Sequence, residues 1–302
     1  MNKVIRIGTR ESALALWQAH TFQDLLNSKG FSNELIPIKS EGDLDLVQPL
    51  YKMGTVGIFT KTLDTALLNN RIDLAIHSMK DVPTLLPKGI QQAAVLERGP
   101  VKDVLVKKTN ASSLEIPQII ATGSLRRKAQ WLSKFPNHNI VPLRGNIQTR
   151  LKKLKNEDWD GAIFAEAALV RLKTENENVN ILDWMIPAPA QGALMIVCKS
   201  KDKALLNVMK QFNHLETALC TQIERDFLRT LEGGCTAPIG ALANVEGNNI
   251  QFQGGVFSLD GKRKFIIDET FEKSTELEGV KLANQLLKKG AVELLQEFKS
   301  SS

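Results

Sequence analysis

The sequence is poor in the residues that mark several common functions. It has three cysteines in 302 residues, Cys198, Cys220 and Cys235, an odd number with no Cys-x-x-Cys pair. That usage argues against a disulfide framework and points to reduced thiols. The four histidines, His20, His77, His138 and His214, show no His-x-x-x-His spacing, so no metal-ligand set is legible. No apolar run reaches the ~18 residues of a membrane span. The opening MNKVIRIGTR reads as a strand without the apolar stretch of an export signal, which makes the cytoplasm the expected compartment. Low-complexity tracts and repeats of 20 to 50 residues are also missing, and 43% hydrophobic with 24% charged residues is an ordinary globular composition. No Gly-x-Gly-x-x-Gly follows a strand. In the stretch from Gly54 to Thr62, Thr60 precedes Lys61 and Phe59 stands where a phosphate loop needs its glycine, so that loop cannot wrap a phosphate closely.

What the chain does have is an uneven charge. Between Arg98 and Lys155 there are thirteen Lys or Arg against two acids, Asp103 and Glu115, a surplus of +11 in a chain whose net charge is +6. Only Trp131, Phe135 and Trp159 lie near this segment, too few aromatics for a nucleic-acid stacking surface. The length suits two or three cores. Short β-rich runs alternate with helical ones over the first two thirds, the pattern of parallel sheets with crossover helices. Strands are expected at Val4 to Gly8, Glu34 to Ile38, Ile72 to His77, Val104 to Lys107, Ile119 to Ala121, Ile140 to Leu143 and Ala162 to Ala165. Helices are expected at Ser12 to Lys29, with Leu14, Trp17, Leu25 and Leu26 near one stripe, and at Gly57 to Asn70. Near residue 215 the pattern changes to one helix, Glu216 to Leu231, then two strand-like runs flanking Ser258 to Gly261, then a long helical stretch, which indicates a small α+β domain.

In open parallel sheets ligands bind beyond the carboxyl ends of the strands, where helix N-termini expose N–H donors. Hydroxyls and arginines recur at those places: Thr9-Arg10-Glu11-Ser12, Thr122-Gly123-Ser124-Leu125-Arg126-Arg127, Arg144-Gly145-Asn146 with Arg150, and Arg171. A single Ser124 or Asn146 reads as a helix cap. Several arginines at successive strand ends suit a ligand with many carboxylates or phosphates, because a guanidinium grips such groups through paired hydrogen bonds.

The most specific segment is HSMKDVP, His77 to Pro83, where a nearly continuous apolar strand ends in a base and an acid before a proline. It is joined in order by TRESALALWQA, GSLRR, LRGN and LEGGCTAPIG. In these five motifs the chain resembles the porphobilinogen deaminase family, from Arg6 to about Gly240 at consistent spacing and more weakly beyond. The resemblance implies an α/β fold of two domains like type II periplasmic binding proteins plus a small C-terminal α+β domain. Domain 1 would span 1–97 and 194–214, domain 2 98–193 and domain 3 215–302, with an active site in the cleft between the first two and a strand near Ala193 to Cys198 returning to the first.

The same resemblance implies a monomeric transferase of porphyrin and heme biosynthesis, needing neither nucleic acid nor membrane. Four porphobilinogen molecules would lose ammonia and join head to tail into hydroxymethylbilane, on a dipyrromethane cofactor attached by a thioether to Cys235. Asp81 and Lys80 match the catalytic pair, the Asp81 carboxylate stabilising positive charge on the pyrroles. Cofactor binding falls to Ser78, Lys80, Asp81, Thr122, Ser124, Arg126, Arg127, Arg144 and Gly145. Substrate binding falls to Arg10, Ser12, Arg144, Arg150 and Arg171. Cys198 and Cys220 are expected to be packing residues. Gly123, Val56, Ala190 and Gln148 depart from the family pattern, at places where a serine, a lysine, a glycine and a small residue are common. The alternative is a cytoplasmic anion-binding protein of periplasmic-binding-protein type without catalysis, which intact HSMKDVP and LEGGC disfavour.

Overall fold

A computed structural model of the chain describes residues 4–39, 60–108, 114–174, 178–231, 237–273 and 277–301. Cys235 and Val56 lie outside the described residues. These residues form two compact units, one from residues up to Gly99 together with Gly192–Ala218, the other from Pro100–Gln191 and from Leu219 onward.

The first unit runs β1 (Ile5–Arg10), α1 (Ala13–Ser28), β2 (Asn33–Ile38), α2 (Lys61–Leu68), β3 (Leu74–Ser78), β4 (Ile90–Val95) and, after the excursion into the second unit, β10 (Leu194–Lys199) and α6 (Lys203–Met209). Its sheet has the order β2-β1-β3-β10-β4. Alternation along the strands sends Ile5, Ile7, Leu74, Ile76, Leu194 and Ile196 to one face, where they bury Ala19, Phe22 and Leu26 of α1. That spacing corrects the stripe expected for α1: Leu25 is 39% exposed, because at 100° per residue it projects away from the line through residues 19, 22 and 26.

The second unit contains β5 (Asp103–Lys107), β6 (Ile119–Ala121), α3 (Leu125–Lys134), β7 (Asn139–Val141), α4 (Ile147–Asn156), β8 (Gly161–Ala165), α5 (Glu166–Arg171) and β9 (Val179–Ile181). Their sheet order, β7-β6-β8-β5-β9, repeats the plan of the first. Val104, Val106, Ala162 and Phe164 belong to one core and Leu105, Ile120, Ile163 and Trp131 to the other, so this sheet is buried on both faces. Neither sheet is purely parallel as the alternation suggested. β10 is antiparallel to both its neighbours, and so is β5; each is the first strand formed after the chain passes from one unit to the other.

The remainder of the second unit is α7 (Leu215–Thr230, which begins in the first), β11 (Ile239–Glu246), β12 (Asn249–Phe257), β13 (Lys264–Glu272), α8 (Glu278–Leu286) and α9 (Val292–Ser301). Three antiparallel strands stand where two were expected, because Gly247, at φ +62, opens a two-residue hairpin between Glu246 and Asn249. Phe227, Phe252, Ile239, Leu282 and Leu286 share the core of this layer. It packs with the preceding sheet as one unit through buried hydrogen bonds. The Glu224 carboxylate accepts from Ala190 N at 2.6 Å and from Ala243 N at 2.8 Å, and Ala241 N donates to Pro187 O at 3.0 Å. Ala190, where a glycine is common in the resembling family, has φ +61, the left-handed region that glycine enters without strain. Among the described residues no helix is long and apolar enough to cross a membrane.

Candidate active site

In the first unit the parallel register Gly8↔Ala75 puts Arg10 level with His77 at the carboxyl ends of β1 and β3, on the face opposite α1. From there β3 enters a single 3-10 turn, Met79–Asp81, closed by Val82 N donating to Met79 O at 3.1 Å. Met79 is 1% and Val82 2% exposed, while Lys80 and Asp81 are half-buried. The two apolar side chains anchor the turn, and Met79 N is further tied to Ala193 O at 3.0 Å. Lys80 and Asp81 are thereby held by short, anchored backbone. Ser78 Oγ accepts from Gln18 Nε2 at 2.8 Å, a donor on a residue only 3% exposed. Ser12, read from the sequence as a substrate contact, is the N-cap of α1, its oxygen accepting from Ala15 N at 3.4 Å, which leaves the hydroxyl proton to donate elsewhere.

Sequence reasoning passed over His77. It is buried, and burial together with the nearby Arg10 charge pushes it down to about 4, so the imidazole is neutral at physiological pH. Its position inside HSMKDVP was the available signal, but periodicity assigns it only to a buried strand.

In the second unit β7, β6 and β8 are adjacent and parallel, so Arg144, Thr122 and the start of α5 follow strands that end on one edge. Ser124 caps α3 by accepting from Arg127 N at 3.4 Å, and Asn146 caps α4 by accepting from Thr149 N at 2.9 Å. Thr122 is buried and its hydroxyl oxygen accepts from Ser124 N. Gly145 has φ +108, and a Cβ there would lie 2.7 Å from Thr149 Cγ2, so the turn requires glycine. Arg150 Nε donates to Gly145 O at 2.8 Å, linking α4 back to this turn. Arg144 is 8% exposed. Arg171 closes α5, and burial pushes it down to about 10, still a cation at neutral pH.

Arg126 and Arg127, expected from the resemblance to bind the cofactor, engage an internal carboxylate. Both are buried around Asp103, which is 0% exposed. Arg126 Nη1 reaches Asp103 Oδ2 at 2.7 Å and Ile186 O at 2.7 Å. Arg127 Nε and Nη2 reach Asp103 Oδ1 at 3.1 and 2.8 Å, and its Nη1 reaches Ile163 O at 2.9 Å. Gln191 Nε2 adds a further donor to Asp103 Oδ1 at 3.0 Å. Sequence counting treated Asp103 as a minor offset to a basic run. Its position at the start of a buried strand was the clue that it must have cationic partners.

Gly123 explains one departure from the family pattern, since a Cβ there would lie 2.4 Å from Leu143 O. Gly123→Ser, although it restores the commoner residue, should therefore destabilise by roughly 1 to 3 kcal/mol as that backbone is forced to move. Urea unfolding midpoints of variant and parent check this. Cys198 and Cys220 are buried and form no disulfide, and desolvation first, then Asp202, pushes Cys198 up to about 11, which makes it unreactive. Gln148 is exposed on α4, and nothing in the structure explains that departure. Among the described residues no group of three or more His, Cys, Asp or Glu is placed to hold a metal ion.

Comparison with known proteins finds two matching family models: "Porphobilinogen deaminase, dipyromethane cofactor binding domain" over residues 5–207 and "Porphobilinogen deaminase, C-terminal domain" over residues 218–288. Curated relatives include a porphobilinogen deaminase of Campylobacter hominis, 43% identical over 98% of both chains. Another, of Chlorobium phaeobacteroides, is 41% identical over 100% of both. A chloroplastic relative from Oryza sativa is 42% identical over 88% of this chain and 78% of its own. Among solved structures, an ancestral cationic amino acid solute binding protein aligns over 69% of this chain and 87% of its own at 16% identity, with a TM-score of 0.43.

Proposed function

The chain belongs to the porphobilinogen deaminase family, and we propose how its residues divide the work of joining four porphobilinogen molecules head to tail into hydroxymethylbilane with loss of ammonia. The observation that carries the assignment is the anchored turn Met79–Asp81, which holds a base and an acid at a strand end beside Arg10. Asp81 stabilises the positive charge that grows on the pyrroles as the carbon–carbon bond forms, and Lys80 and Arg10 bind ring carboxylates. Arg144, Arg150 and Arg171 receive the acetate and propionate groups in the second unit, with Ser12, Thr122 and Ser124 as neutral donors. Arg126 and Arg127 act through Asp103, fixing the start of α3 and the segment from Ile186 to Gln191. Three of the thirteen cations of the basic segment, Arg126, Arg127 and Arg144, are buried, and its few aromatics offer little for base stacking, which supports a small acidic ligand over nucleic acid. A noncatalytic anion binder has no support in the full-length relatives.

The family's cofactor is a dipyrromethane, rich in carboxylates, and the cationic and hydroxyl donors that follow the adjacent strands β6 and β7 fit such a group. Ser78, Lys80, Asp81, Thr122, Ser124, Arg144 and Gly145 would hold it, with Cys235 as the thioether attachment. When bound, it supplies the primer to which pyrroles are added. Cys198 and Cys220 form no disulfide, which supports the cytoplasm as the compartment, where we propose that the chain works as a monomer.

Intact mass spectrometry tests the attachment. The purified holoprotein should exceed its sequence mass by one dipyrromethane, and Cys235→Ser should lose the increment. Retention by Cys235→Ser with loss in Cys198→Ser or Cys220→Ser would reassign the attachment.

A further inference from the structure

Resting on the reading of porphobilinogen as substrate, we propose that His77 is a further substrate-binding residue: with Arg10, its buried imidazole holds one carboxylate of the incoming pyrrole. His77 is 6% exposed, and its Nε2 is fully buried with no hydrogen-bond partner among the described residues. Nearly all buried polar atoms in folded proteins are hydrogen-bonded, and an exception needs an explanation. Packing alone does not supply one, since an aromatic hydrocarbon would fill the same volume without leaving a polar atom unsatisfied. Location does. The register that sets Gly8 opposite Ala75 carries Arg10 to the level of His77 on the same face, and the opposite face is filled by α1. One residue further along β3 the chain reaches Ser78, then the turn bearing Lys80 and Asp81.

Arg10 provides a permanent cation, and its proximity disfavours a second charge on the ring. A neutral imidazole beside it contributes one N–H donor, so the pair offers a charged and a neutral donor to a single anion. A carboxylate meets that description, and each porphobilinogen brings two.

The holoenzyme carries the test. His77→Phe should keep the thermal midpoint near that of the parent while raising KM for porphobilinogen about ten- to a hundredfold, with kcat changed less than about threefold. His77→Gln, which restores an N–H donor, should recover most of the KM. In nitrogen-15 spectra of the parent holoenzyme, the His77 ring resonances should move when porphobilinogen is added. An unchanged KM in His77→Phe overturns the proposal, as does a defect that His77→Gln repeats in full. If His77→Phe does not fold, an unmoved His77 resonance in the parent overturns it equally. A parent holoenzyme that fails to consume porphobilinogen instead overturns the functional reading itself.

Discussion

Asp81→Asn is expected to fold as the parent does and to slow pyrrole addition by hundreds-fold. The substitution keeps the size and most of the hydrogen-bonding capacity of the side chain and removes only its charge. Met79 and Val82 hold the turn on either side, so the amide should occupy the carboxylate's place. What is lost is the negative charge that offsets developing positive charge on the pyrroles, and removal of about 3 to 4 kcal/mol of such stabilisation corresponds to that rate. Asp81→Glu keeps the charge but displaces it by one methylene, and should retain measurable activity with enzyme-bound intermediates accumulating. Single-turnover kinetics on protein already carrying its cofactor separate this effect from failure of cofactor assembly. Near-normal addition by Asp81→Asn in that assay would move the role to another acid.

Asp103→Asn should act on stability, costing about 3 to 5 kcal/mol, the usual penalty for leaving buried charges without their partner. Asp103 is 0% exposed and is held by Arg126 at 2.7 Å, Arg127 at 2.8 Å and Gln191 at 3.0 Å. Neutralising it leaves two guanidiniums facing each other, and burial already pulls Arg126 below its ordinary range. Guanidinium unfolding followed by tryptophan fluorescence should show the loss, because Trp131, on α3 with both arginines, is buried in the core. Arg127→Leu should destabilise similarly, whereas Arg150→Leu, at a half-buried site on α4, should impair ligand binding more than folding. A stable Asp103→Asn would show that the two arginines do not depend on it.

By itself the sequence determined the local features of this protein: apolar runs that become strands, hydroxyl and amide residues that cap helices, and a motif order that identifies the family. Ser124 and Asn146 were legible as caps because a cap is a contact with a residue three positions ahead. Ile119–Ala121 was legible as a strand because its signal lies within its own residues. β4 and β9 were not. The run IQQAAV has little alternation, and three residues at a sheet edge carry almost no pattern, so pairing with distant strands decides both. Tertiary structure also made β10 and β5 antiparallel and assigned Arg126 and Arg127 to an aspartate more than twenty residues earlier in the chain. An arginine at a strand end has the same local sequence whether it meets a ligand or a buried acid. The difference lies in which groups folding excludes from water together, because a charge removed from water must find its partner among whatever the fold brings within reach.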